Sequence, residues 1–290
     1  MKKILALVLA AVMMLGCMTM FTSCGDKEEL IGFDIDLARA AVDYLNETYD
    51  TDVEIEFVVI DWNSKETLLD NGSIDLVWNG MTINEERVAA MAMSVPYLAN
   101  KQVAIVAKDK AASFGTTMES FVENAKECIV TFEKGSAGEG VVITDEKLNF
   151  GKESLSSSTQ LDALNALKKG DADIAVIDSV MAGYYMNTGD SYQDYQILSD
   201  IVLAEEEYGI GAKKGNDALI GKINEAMIAL VGSDYKDVAE EYGLTSELLV
   251  KADTVNPQAN ASDDSWNKIA ESGKLVIGYT KFAPIAFDAE

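Results

Sequence analysis

An apolar run that stops at a glycine, a hydroxyl and an arginine carries the most chemistry in this sequence: Asp75 to Arg87, DLVWNGMTINEER. Val77 and Trp78 read as the end of a buried strand, Asn79-Gly80-Met81-Thr82 as a turn, and Asn84 to Met93 as a helix. Gly80 would let a ligand approach bare backbone, and Thr82 would offer a hydroxyl and an amide near the helix start. Arg87 adds a planar fork that matches a carboxylate. The chemistry these residues suit is recognition of an anion. A strand end, a capped helix and a surface arginine account for the same residues, so the stretch alone leaves both readings open.

The elements that would position such a site alternate between helical and strand periods, the pattern of an α/β protein. Asp36 to Asn46 reads as a helix, Val53 to Val59 as a strand, and Ser64 to Asp70 as a helix ended by Gly72. Two segments echo each other. Ser64 to Asn79 and Ser158 to Asp178 each run helix, Gly-containing polar turn, strand, polar residue, which predicts two lobes of one architecture with a ligand cleft between them. Gln102 to Ala107 and Tyr208 to Ala212 bracket the second lobe as a two-strand hinge. Residues 214 to 250 form amphipathic helices with Leu219, Ile223, Met227 and Leu230 on one stripe. Residues 251–264 read as a linker, followed by a helix from Trp266 to Ser272 and a strand from Lys274 to Gly278.

A chain of 290 residues, 48% hydrophobic and 25% charged, suits a folded protein of one large domain or two medium ones. A formal charge of −26 argues against nucleic acid or an anionic membrane surface as a partner. Lys2-Lys3 and the uncharged apolar run from Ile4 to about Phe21 form a secretory leader, so export is expected; an uncleaved membrane anchor is the alternative. Both Cys17 and Cys24 follow a small residue, as a lipidated cysteine would. Cys24 is preferred because polar Gly25-Asp26-Lys27 follows it, giving residues 1–24 as a lipoprotein-type signal. Cys128 sits in an apolar run as a small hydrophobe, and with no histidine in the chain neither a disulfide framework nor a metal site is expected, nor any cofactor.

The chain resembles the extracytoplasmic solute-binding proteins of polar amino-acid ABC importers, bacterial solute-binding protein family 3. The strongest local match is Gly80-Met81-Thr82-Ile83 with Glu86-Arg87 and Ser94-Val95-Pro96-Tyr97. The resemblance implies a periplasmic-binding-protein type II fold, two α/β lobes joined by a two-strand hinge. Such proteins open with a helix, a Gly-Lys-Leu-Val-Ile-Gly strand and an aromatic-Ala-Pro segment. Here those features stand at Trp266-Asn267-Lys268-Ile269, Gly273 to Gly278 and Phe282-Ala283-Pro284, after the rest of the fold. By this resemblance the order looks circularly permuted. Ile285 to Asp288 is expected to pair with Leu30 to Asp34, so that the C-terminal segment supplies the first strand and hairpin. Lobe 1 then comprises residues 25–104, 205–250 and 265–290, and lobe 2 residues 105–204.

By the same resemblance, Arg87 clamps the ligand's α-carboxylate, Thr82 contacts carboxylate and ammonium, the Gly80 carbonyl accepts from the ammonium, and Asp178 is the opposing lobe's acid. Ser136 and Ala137 open a helix whose amides reach the carboxylate, although many relatives carry a hydroxyl where Ala137 stands. Trp62 and Phe282 stack around the side chain, with Tyr279 and Thr280 nearby. The implied partners are a free amino acid, ABC permease subunits and, through a lipid anchor, the outer face of a membrane; the protein is expected to be monomeric. The residues leave other roles open: Trp62 and Phe282 as core aromatics, Asp178 as a helix cap. Two rival functions share the fold, a ligand-sensing module and a periplasmic dehydratase of cyclohexadienyl amino acids. Acid catalysis would need a carboxyl with a shifted pKa. Glu205-Glu206-Glu207 offers acids but reads as a solvated loop.

Overall fold

The computed structural model describes residues 29–144, 148 and 150–289; the expected leader and Cys24 lie outside them. The chain begins with β1 (Leu30–Ile31), α1 (Phe33–Tyr49), β2 (Glu54–Val59), α2 (Lys65–Asp70), β3 (Leu76–Thr82), α3 (Glu85–Ala90) and β4 (Met91–Met93). It continues through β5 (Leu98–Ala107), α4 (Met118–Ala125), β6 (Ile129–Glu133), α5 (Ala137–Glu139), β7 (Glu153–Ser157), α6 (Gln160–Lys169), β8 (Ile174–Asp178) and α7 (Ser179–Asn187). The remainder is β9 (Tyr195–Lys213), α8 (Asp217–Ala229), α9 (Asp234–Glu241), α10 (Ser265–Ser272), β10 (Lys274–Tyr279) and β11 (Phe287–Asp288).

One sheet runs in the order β2-β10-β3-β9-β5-β8-β6-β7, with β4 also on β9. Its two ends are parallel, β2 and β3 flanking β10 at one and β7 and β8 flanking β6 at the other. These are the two lobes of the type II architecture. Parallel strands covered on both faces read as unbroken apolar runs, which is why Leu76, Val77 and Trp78 are all buried. The antiparallel pair β5 and β9 joins the lobes. Its register runs from Leu98↔Tyr208 to Ala107↔Tyr195, with irregularities around Val103. The hinge strands are therefore longer than expected, and Glu205 to Glu207 lie inside β9 rather than in a loop.

The C-terminal segment is part of the core. β10 lies between β2 and β3, with Lys274↔Glu54 through Tyr279↔Val59 on one side and Ile277↔Leu76 on the other. The chain then returns to the start of α1, where Phe33 N donates to Pro284 O at 2.9 Å and Asp34 N to Ile285 O at 3.0 Å. Leu30–Ile31 and Phe287–Asp288 form a two-stranded sheet. The expected pairing is present but short, because the helix begins at Phe33, three residues before the expected start, and removes Phe33 and Asp34 from the strand.

Two further boundaries move. Asn79 to Thr82 is not a turn: β3 continues to Thr82, with a register shift against β9 between Val77 and Met81. The helix expected to reach Met93 ends at Ala90, and Met91–Met93 forms a strand that pairs with β9 at Lys213, Ala212 and Gly211. Residues 251–264 are docked rather than loose. Asn256 donates to Gly221 O at 2.8 Å, Asn224 donates to Gln258 at 3.0 Å, and Asp263 accepts from Ala218 N at 2.7 Å, capping the start of α8. The stripe Leu219, Ile223 and Met227 on that helix, with Leu230 just past its end, is buried as its period predicts.

Candidate functional site

Gly80, Thr82, Arg87, Trp62 and Phe282 from lobe 1 line one small pocket with Ser136, Ala137 and Asp178 from lobe 2. All eight expected site residues therefore converge. Asn79, Glu133, Gln160 and Thr280 complete the lining. A wider cleft outside it is bordered by Asn63, Lys65 and Glu205 to Glu207 among others.

The β3 register shift shapes one wall. Gly80 has φ +56°, a conformation that side chains disfavour, and an added Cβ would lie 2.7 Å from Phe282 and 3.1 Å from Tyr208. Its amide donates to Asp34 Oδ2 at 2.7 Å, and Tyr97 donates to the same oxygen at 2.7 Å. Burial pushes the Asp34 pKa up to about 7, although both hydrogen bonds act against the rise. Asn79 Oδ1 accepts from the amide and hydroxyl of Thr280, tying β3 to the C-terminal segment beside Phe282.

Arg87 is only 5% exposed, so it is not a solvated helix residue. Asn84 caps α3 by accepting from Arg87 N at 2.8 Å, and Arg87 Nη1 donates to Thr82 O at 2.7 Å, fixing the guanidinium at the cleft. Its Nη2 reaches Gly135 O across the cleft at 3.4 Å. Burial lowers the Arg87 pKa, while Glu206 and Asp178 oppose the shift. Trp62 lies beside the cation, its ring 6.0 Å from Arg87 Cζ and 4.8 Å from Lys65 Nζ. In lobe 2, Ser136 caps the short helix α5 by accepting from Glu139 N at 3.2 Å. That leaves the first-turn amides of Ala137 and Gly138 without an intrahelical acceptor.

Asp178 stands at the N-cap of α7 but makes no side-chain cap hydrogen bond; its carboxyl serves the pocket instead. Strand geometry explains its partners. Asn100 and Gln102 share one face of β5, Glu206 of β9 lies opposite Asn100, and Asp178 of β8 lies opposite Gln102. Asn100 donates to Asp178 at 2.7 Å and to Glu206 at 3.0 Å. Gln102 donates to both acids, and Gln160 donates to the other Asp178 oxygen at 2.5 Å. Thr82 donates to Glu206 at 3.1 Å, and through Asn100 and Gln102 this network reaches Asp178 of lobe 2. Burial and then the Glu206 charge raise the Asp178 pKa to about 7. Glu133, at the end of β6, rises to about 8 through burial and the Asp178 charge, against the pull of Lys65.

Glu133, Gln160, Asn100, Gln102 and Glu206 escaped sequence reasoning as site residues. Glu133 left one usable signal, an acid immediately before Lys134-Gly135-Ser136 at the end of an apolar run. Among the described residues, no group of three or more His, Cys, Asp or Glu is arranged to hold a metal ion. Nor is any described helix long and apolar enough to cross a membrane.

The sequence pattern of the bacterial extracellular solute-binding proteins, family 3, matches residues 17–245. The chain belongs to this family. This solute-binding protein is 29% identical over 208 residues to the probable histidine-binding protein of Neisseria gonorrhoeae, covering 71% of the chain and 72% of that protein. It is 30% identical over 200 residues to the ABC transporter glutamine-binding protein GlnH of Bacillus subtilis, covering 69% and 67%. A substrate-binding protein of an ABC uptake transporter from Streptococcus pneumoniae, solved with bound histidine, superposes with a TM-score of 0.65 at 28% identity, covering 76% of this chain and 85% of that one. The matched range ends before α10 and β10.

Proposed function

We propose that this solute-binding protein captures a free amino acid between its lobes and delivers it to an ABC importer. The observation that carries the reading is one pocket with a fixed guanidinium on lobe 1 and a buried carboxyl on lobe 2, Arg87 and Asp178. An α-amino acid needs that pair of opposite charges, and each charged hydrogen bond contributes on the order of 1.5–3 kcal/mol. Because the two groups belong to different lobes, a ligand that bridges them favours closure, the state an importer would read. Thr82 borders the carboxylate end with the Ala137 and Gly138 amides and the Gly80 carbonyl faces the ammonium, while Trp62 and Phe282 enclose the side chain. Relatives that bind histidine and glutamine support the ligand class. The family's extracellular character supports an extracytoplasmic location, and Cys24 is the proposed lipid attachment. The protein acts as a monomer in this reading.

The proposal extends to the chain order: residues 265–290 complete lobe 1, a permuted arrangement supported by the place of β10 inside the sheet. Calorimetric titration of the full chain with the twenty amino acids, beside Arg87→Ala, tests the function. Tight 1:1 binding without turnover, weakened at least about 100-fold in the variant, is expected. Absence of binding to any amino acid by the folded protein overturns it. Deleting residues 265–290 should abolish binding; retention would defeat the permuted arrangement. A second reading, a dehydratase, draws on the raised pKa values of Glu133 and Asp178, as acid catalysis requires. Product formed from a cyclohexadienyl amino acid would favour it.

A further inference from the structure

Glu133 is 6% exposed and lines the pocket, yet binding an amino acid's two backbone charges gives it no role. Arg87 and Asp178 suffice for those charges. The lining of the small pocket carries two carboxylates, those of Glu133 and Asp178, against one cation, Arg87. Among the described residues neither acid makes an ion pair within 4.0 Å. Lys65 is turned away onto Trp62, donating to its carbonyl at 3.2 Å with Nζ over the ring. Asp178 already accepts from three side-chain amides, whereas the side-chain hydrogen bond at Glu133 comes from Gln160. A buried carboxylate without a cation is costly, and the site is short of one positive charge. A zwitterion leaves that deficit unchanged. A ligand with an additional positive charge removes it.

Resting on the amino-acid reading above, we infer that the pocket selects an amino acid with a cationic side chain, whose charged group is set against Glu133 while Arg87 and Asp178 hold its backbone charges. Before the ligand arrives, protons fill the deficit. The groups facing Glu133 are Asp178 on β8, Lys65 on α2, Asp162 and the Gln160 amide on α6; those facing Asp178 include Glu206 on β9 and Arg87 on α3. With Glu133 near 8 and Asp178 near 7, the empty site carries protons at neutral pH. A bound side-chain cation takes their place, so binding expels protons and affinity climbs as pH rises through 7 to 8.

Calorimetry of the full chain with arginine and with citrulline, its neutral isostere, in buffers of different ionisation enthalpy tests this. Arginine should bind at least about tenfold more tightly than citrulline and release about one more proton per ligand at pH 7. Glu133→Gln should collapse both differences, with its thermal unfolding followed in parallel. Equal affinity and equal proton release for the two ligands in the unsubstituted protein overturn the inference without any variant. Tighter binding of glutamine or citrulline than of arginine or lysine overturns it as well, while leaving the amino-acid reading intact. Absence of binding to every amino acid strikes the underlying reading instead.

Discussion

Gly80 shows how far one residue constrains the pocket. Its positive φ and its closeness to Phe282 mean that Gly80→Ala must strain the backbone and push the aromatic ring, which belongs to a segment some 200 positions later in the chain. Affinity for the amino-acid ligand should fall about 10- to 100-fold, with a stability loss of about 1–3 kcal/mol. Calorimetry and urea unfolding of the variant check both; unchanged affinity would mean that the Phe282 contact is not part of the binding wall. The pairing of Arg87 with Thr82 O and the Asn84 cap show a second residue-scale device. In the proposed reading, where Arg87 meets the ligand's carboxylate, its side chain is held before that anion arrives, which lowers the ordering cost of binding.

Among the elements, β10 carries the greatest consequence. A strand from the C-terminal segment sits at the centre of the lobe 1 sheet, and Ile277 within it is fully buried between β2 and β3. Ile277→Ala should therefore destabilise the protein by about 2–4 kcal/mol in urea unfolding, the cost of a large-to-small change in a close-packed core. A loss below about 0.5 kcal/mol would show that the segment is only loosely attached. Residues 251–264 make the same point at lower cost. Asp263 caps α8 across the loop, and Asp263→Ala should lower stability by about 1 kcal/mol, read as a drop in Tm.

For the whole molecule, the buried acids set the response to pH. Asp34, Glu133 and Asp178 have folded-state pKa values near 7, 8 and 7, above their ordinary values of 3.8, 4.5 and 3.8. A raised carboxyl binds its proton more tightly folded than unfolded, so its contribution favours folding at low pH and is lost as pH rises from about 4 to 8. Relief of the −26 formal charge acts in the same direction. The ligand-free protein should thus melt at a higher temperature at pH 5.5 than at pH 8, and a bound cationic amino acid should narrow the gap. Calorimetric melting across that range checks it, and a Tm that rises with pH in the empty protein would contradict the assignment.

Local order explains what could be read directly. The apolar stripe of α8, the cap and arginine of α3 and the strand core Leu76 to Trp78 depend on neighbours a few positions away, so periodicity and composition expose them. The resemblance extended that reading to eight pocket residues on both lobes. Whether Asn79 to Thr82 turned or continued as a strand could not be decided locally, because β9 supplies the hydrogen bonds that keep it extended. The polar network was hidden for the same reason. Glu206 looked like part of a solvated acidic run, and only the register of β9 on β5, beside β8, sets it opposite Asn100 and near Asp178. Pairing between segments about 80 to 100 positions apart leaves no local period, so the sequence determined the strand core and the capped helix that carries Arg87, and only the tertiary structure decided which acids share the pocket.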